Sequence, residues 1–144
     1  MKLTEHFTLE ELTFSETASR RGWDNTPPIG FQENLSRVAL LLEQVRKLVN
    51  KPIQITSGYR CKNLNDAVGS KETSQHRNGC AADFKVVGMT PREVIDLILD
   101  AGIEYDQVIE EFSSWTHISV PKTIYTKPRL EALTIDKKGA RPYI

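Results

Sequence analysis

The chain has 144 residues, with Lys+Arg 19 against Asp+Glu 19 and a formal net charge of +0. That length fits one compact domain over 1–144. With 26% charged and 39% hydrophobic residues, the composition excludes a wholly disordered chain, a collagen-like repeat and a coiled coil; the balanced charge argues against a nucleic-acid partner.

The opening Met1-Lys2-Leu3-Thr4-Glu5-His6-Phe7 lacks the apolar core of a secretory signal. Synthesis in a cytoplasm, without export by that route, is therefore expected. Apolar stretches such as Val38-Ala39-Leu40-Leu41-Leu42 are too short to span a bilayer, so no membrane partner is expected. The two cysteines, Cys61 and Cys80, make no disulfide framework, and a reduced compartment is the default reading.

Thr8-Leu9-Glu10-Glu11 fits a capping box that opens a first helix, and a second short turn begins at Ser15. Asn25-Thr26-Pro27-Pro28 is a breaker. Phe31, Leu35, Val38, Leu42, Val45 and Val49 recur every three or four residues and predict an amphipathic helix that Pro52 ends. Pro52 to Thr56 alternates like a half-buried strand. Ser57-Gly58-Tyr59-Arg60 turns away from it, and a short helix is expected over Leu64 to Val68. Gly69 to Asn78 is polar and loop-like. Cys80 to Val86 reads as a buried strand. Thr90-Pro91-Arg92-Glu93 is a second capping box, with Pro at the first helical position, and Gly102 closes that helix. Asp106 to Phe112 and Trp115 to Val120 read as an antiparallel hairpin joined at Ser113-Ser114. A further strand is expected around Leu130 to Ile135, followed by a turn at Lys137-Lys138-Gly139. This order predicts an α+β fold, with helices packed on a mainly antiparallel sheet.

Three histidines and one unusual acid bear on chemistry. Asp83 sits inside Cys80-Ala81-Ala82-Asp83-Phe84, where an unpaired carboxylate is costly to bury. Strand alternation puts Ala81, Asp83 and Lys85 on one face, and Trp115, His117 and Ser119 on one face of the hairpin's second strand. If the two strands are neighbours, Asp83 and His117 point into one cleft, which His76 enters from the preceding loop. Two imidazoles and one carboxylate, with a fourth position for water, form a catalytic zinc arrangement. A general base must then take the water proton. Glu110 and Glu111 are the candidates; they face opposite ways, and alternation leaves the choice open. Cys80 is turned away from Asp83, so a buried thiol is the better reading. His6 reads as a surface or packing residue. Trp115 belongs either to the core or to the cleft.

Ser74-Gln75-His76-Arg77-Asn78-Gly79-Cys80-Ala81-Ala82-Asp83 matches S-x-H-x-x-G-x-A-x-D, five fixed positions within ten residues. With Ser57-Gly58-Tyr59-Arg60 before it and Glu111 six residues ahead of His117, the order of pieces resembles the zinc D-alanyl-D-alanine carboxypeptidases. That superfamily includes phage cell-wall peptidases and shares its fold with the hedgehog signalling domain. The resemblance covers roughly Ile53 to Val120 and, more loosely, Glu5 to Leu12. It implies His76, Asp83 and His117 as zinc ligands, Glu111 as the base, and Arg60 as a grip on a substrate carboxylate or carbonyl, a task to which a guanidinium fork is suited. Ser74 and Trp115 are the further residues expected to meet substrate. Many relatives carry H-x-H where this chain has Trp115-Thr116-His117, so one imidazole donor is missing; small phage-type relatives with W-x-H look similar.

The expected function is zinc-dependent hydrolysis of peptidoglycan stem peptides, as a carboxypeptidase or an endopeptidase. Action at the cell wall through phage lysis or virion association goes with it. Two other readings compete: a non-catalytic, zinc-stabilised module of the same fold that binds peptidoglycan or a protein, and a metal-free structural protein.

Overall fold

A computed structural model describes residues 1–144. The helices are α1 (Leu9–Thr13), α2 (Glu16–Arg21), α3 (Ile29–Val49), α4 (Lys62–Ala67) and α5 (Pro91–Ala101); a 3₁₀ turn spans Gln75–Asn78. The strands are β1 (Ile53–Ser57), β2 (Ala81–Val86), β3 (Gln107–Glu111), β4 (Trp115–Ser119), β5 (Glu131–Asp136) and β6 (Gly139–Pro142). They form one six-stranded sheet in the order β1-β2-β4-β3-β5-β6. All neighbours are antiparallel except β3 and β5, which run parallel. The fold is α+β, as the sequence predicts.

Both capping boxes form. Thr8 and Thr90 each accept from the backbone N–H three residues on, and Glu11 and Glu93 reach back to the cap amide. α3 starts at Ile29, two residues earlier than its apolar stripe suggests, because Pro28 needs no partner for a missing N–H and leads directly into the first turn. Its stripe of Leu35, Val38, Leu42 and Val45 is fully buried. It packs with Ile95 and Ile98 of α5 against Ala82, Phe84, Val108 and Ile118 of the sheet. These strand residues alternate with Asp83, Ile109 and His117, so the helical layer covers one face and the other face is left for chemistry.

Three local expectations shift. The short helix is Lys62–Ala67, displaced toward Cys61. The polar loop contains the 3₁₀ turn. The β3–β4 turn is centred on Phe112 and Ser113, both with φ 53, rather than on Ser113-Ser114. Two left-handed residues match the strand twist of a tight hairpin at some backbone cost for non-glycine types. Phe112 is held there because its N–H donates to the Ile135 carbonyl at 2.8 Å and its ring lies 5.6 Å from that of Trp115. β6 has no sequence signal of its own and closes the hairpin begun at Lys137-Lys138-Gly139. No helix is long and apolar enough to cross a membrane.

Candidate metal centre

Asp83 and His117 are cross-strand partners on β2 and β4. Directly opposed residues stand within side-chain reach on one face. His117 Nδ1 lies 2.9 Å from Asp83 Oδ1. His76 arrives from the 3₁₀ turn and puts Nε2 3.2 Å from the same oxygen. The two rings meet edge to face, with centroids 5.0 Å apart. All three side chains are buried, and one ligand atom from each lies within 4.8 Å of the others.

Local structure makes this convergence possible. Ser74 caps the 3₁₀ turn by accepting the His76 N–H. Gly79 ends the turn with φ 77, and a Cβ there would stand 2.6 Å from the Phe31 carbonyl oxygen, so only glycine suits the position. A β-bulge between Ile55 and Ser57 brings Ser57 opposite Asp83. The chain then passes through Gly58, where a Cβ would overlap the Leu12 carbonyl. The Gly58 carbonyl accepts from His76 Nδ1 at 2.8 Å.

That hydrogen bond decides the chemistry of the cluster. A carbonyl can only accept, so Nδ1 carries the proton and a neutral His76 ring presents the Nε2 lone pair to the cluster. A lone pair facing a carboxylate oxygen at 3.2 Å repels it unless a proton or a cation lies between. The donor set is nitrogen, nitrogen and carboxylate oxygen, with the outer nitrogen of His76 fixed by the backbone. It fits a zinc ion with one position left open.

The surrounding charges are graded. Burial raises the Asp83 pKa, but the adjacent His76 and His117 rings outweigh it. The carboxyl ends well below the usual carboxylate range. Arg60 Nη2 stands 3.6 Å from Asp83 Oδ2, and Arg60 Nε donates to Ser57 Oγ at 3.2 Å. Burial lowers the Arg60 pKa against the pull of Asp83 and Glu111. Glu111 lies on the same sheet face, with Oε1 3.8 Å from His117 Nδ1. Its pKa is raised, first by burial and then by the charge of Asp83.

The structure separates the two glutamates that alternation left open. Glu110 faces the helical layer, where Arg92 donates to it at 3.2 Å and Thr134 Oγ1 does so at 3.2 Å. Glu111 faces the cluster. Trp115, its cross-strand partner, shares that face, and its indole N–H is buried without a partner. Cys80 points to the other face, where burial pushes its thiol pKa up. Cys61 precedes α4, its N–H donating to Asn25 Oδ1 at 2.7 Å. His6 pairs with Glu43 at 2.7 Å, away from the cluster.

Two contributors had no visible sequence signal. The Gly58 carbonyl is a backbone atom, and no residue identity advertises it. Asn25, read only as part of a breaker, donates to the Thr13 and Tyr59 carbonyls at 2.7 and 3.0 Å, pinning the segment that carries Gly58 and Arg60. Size alone does not find the site. A cavity of about 640 Å³ beside Arg77, Asp106 and Lys122 contains none of the three clustered side chains.

No curated protein matches the sequence. The family model described as peptidase M15 matches residues 5–119, which includes the whole cluster, Arg60 and Glu111. The chain belongs to the peptidase M15 family, within the superfamily of zinc D-alanyl-D-alanine carboxypeptidase-like proteins.

Proposed function

We propose that this peptidase is a zinc enzyme that hydrolyses peptide bonds in the stem peptides of bacterial peptidoglycan, and so acts at the cell wall. The observation that carries the reading is the meeting of His76 Nε2, Asp83 Oδ1 and His117 Nδ1, with the Glu111 carboxylate on the same face. His76, Asp83 and His117 hold the metal. When bound there, zinc lowers the pKa of a water toward neutrality and polarises a carbonyl. Glu111 accepts the proton of the attacking water and returns it to the departing amine; burial and the charge of Asp83 raise its pKa, which makes it a better proton acceptor. Arg60, tied to Ser57 and facing Asp83, presents its remaining donors to a peptide carbonyl. Trp115 lines the cleft beside Glu111. Ser74 contributes chiefly by fixing His76.

The test is digestion of purified peptidoglycan with zinc-loaded protein, with and without a chelator, set beside Glu111→Gln. New amino groups should appear only with metal and with Glu111 intact. Trp115, at the position where many relatives carry a donor imidazole, favours a second reading: a zinc-stabilised module that binds wall peptide without cutting it. Zinc at one per chain, with binding but no new amines from the parent protein, would establish that reading instead.

A further inference from the structure

Gln75, Arg77 and Asn78 belong to the turn that delivers His76 to the cluster, and they also line the cavity of about 640 Å³. Lys122 and Thr126, from the loop after β4, line it too, and Phe31 of α3 supplies an aromatic ring. The volume falls within the ~300–1,000 Å³ usual for small-ligand sites. The walls are tied down from α3: Asn34 Nδ2 donates to the Asn78 carbonyl at 2.9 Å, and Arg37 Nη2 to the Pro121 carbonyl at 2.6 Å. Gln75 Nε2 and Arg129 Nη2 both donate to Asp106, at 2.9 and 2.7 Å. A ligand therefore meets a preformed surface. The cavity also adjoins the one of about 530 Å³ that reaches His117, because Thr73, Gln75 and Arg129 line both.

We propose that this cavity binds an acetamido sugar of the glycan strand from which the stem peptides hang, at a site separate from the metal cluster. The proposal rests on the peptidoglycan reading above and adds to it a second hold on the same polymer.

The hydrogen-bonding groups of the lining select this ligand class. Gln75 Oε1 and Asn78 Oδ1 are buried without partners. An amide oxygen can only accept, so the ligand that suits them brings O–H or N–H groups. No hydrogen bond holds the Asn78 amide, which is free to turn toward a ligand. Arg77 donates only to the Tyr59 hydroxyl, at a long 3.4 Å, and Lys122 is exposed on its loop. These donors call for acceptors, whereas Arg129 and Asp106 already neutralise each other. A simple anion would answer Arg77 and Lys122 but leave both amide oxygens without donors, and Glu72 in the same lining repels it. An acetamido sugar answers every group. Its hydroxyls both give and accept, its amide supplies an N–H and a carbonyl, and its ring has an apolar face for Phe31. The shared wall at Thr73, Gln75 and Arg129 lets a peptide at the cluster continue toward its sugar.

The test is a calorimetric titration of the zinc-loaded full chain with tetra-N-acetylchitotetraose, an uncharged chain of acetamido sugars, and separately with inorganic phosphate. The sugar should bind with a Kd of about 1 mM or tighter. Thr126→Trp, which fills the cavity from an exposed position, should weaken it about tenfold or more, and Lys122→Ala, also exposed, about threefold. Thr126→Trp should also slow amine release from intact peptidoglycan about tenfold while leaving cleavage of a glycan-free stem peptide within about twofold. No sugar binding at about 10 mM overturns the proposal. So does an unchanged affinity in whichever of the two variants keep the parent's melting temperature. Phosphate binding that Lys122→Ala abolishes, with no sugar binding, makes the cavity an anion site and overturns it as well. The two readings fail separately. Sugar binding lost in Thr126→Trp, with no peptide or wall cut by the parent, leaves the glycan site standing and removes the hydrolase. Wall cut equally fast by Thr126→Trp and the parent, with no sugar bound, does the reverse.

Discussion

At Gly58 the backbone runs so close to Leu12 that Tyr59 N–H donates to the Leu12 carbonyl at 2.8 Å, and no Cβ fits between. The same residue's carbonyl fixes the His76 ring. Gly58→Ala should therefore lower the thermal midpoint and weaken zinc binding together, checked by calorimetry and a competing chelator; losing an outer partner of a ligating imidazole costs about 10- to 100-fold in metal affinity. Glu111→Gln should behave differently: activity falls by about 10²- to 10⁴-fold, the usual worth of a positioned acid–base group, while zinc content stays unchanged. At this scale the sequence was informative where a residue type is scarce and its strand parity known. Three histidines and one acid in an apolar run sufficed to bring His76, Asp83 and His117 forward. It was silent where a main-chain atom or a multivalent amide acts, as at Gly58 and Asn25. Parity separated Glu110 from Glu111 but could not say which face looked inward, because both have apolar neighbours; Arg92 and Thr134 on the far side resolve the matter.

The β3–β4 hairpin carries Glu111 and His117 on adjacent strands, so one tight turn sets their spacing. The tail is joined to that hairpin by charge. Asp106, just before β3, accepts from the Arg129 backbone N–H at 3.0 Å and from its side chain, as well as from Gln75 Nε2 at 2.9 Å. Burial raises the Asp106 pKa, but these donors outweigh it and leave it below the usual carboxylate range. The folded value thus lies under the unfolded one of about 3.9, and the associated stability is present above that pH and lost as pH falls through the folded value. Asp106→Asn should flatten the fall in stability below about pH 4 relative to the parent, measured by denaturant melts across pH. Helices were legible as elements because capping boxes and 3.6-residue periodicity are local signals. The parallel partnership of β5 with β3 is a tertiary choice, which composition within 130–135 does not encode, and β6 gains its definition only from pairing with β5.

Across the whole molecule, one face of the sheet is closed by α3 and α5 and the other bears the cluster. Leu42 is fully buried at the centre of the helical layer, and Leu42→Ala should destabilise the fold by about 2–5 kcal/mol in denaturant titrations. Removing metal should also lower stability, since zinc binds the folded arrangement; at a free concentration about 100 times Kd the linkage is about 2.7 kcal/mol, visible as a drop in melting temperature on chelation and recovery on adding zinc back. The layer arrangement could be read from the order of elements, because amphipathic helices and half-apolar strands have few ways to share a core. The lining of the second face could not, since it depends on which loops pack beside the cluster. Two of the clustered side chains sit on β2 and β4, interior strands bonded on both flanks, whereas His76 is delivered by a four-residue turn. Ion exchange should then be governed by the brief lifting of that turn and not by melting of the sheet. Its rate, followed with a chromogenic scavenger, should remain nearly constant in mild denaturant while global unfolding accelerates.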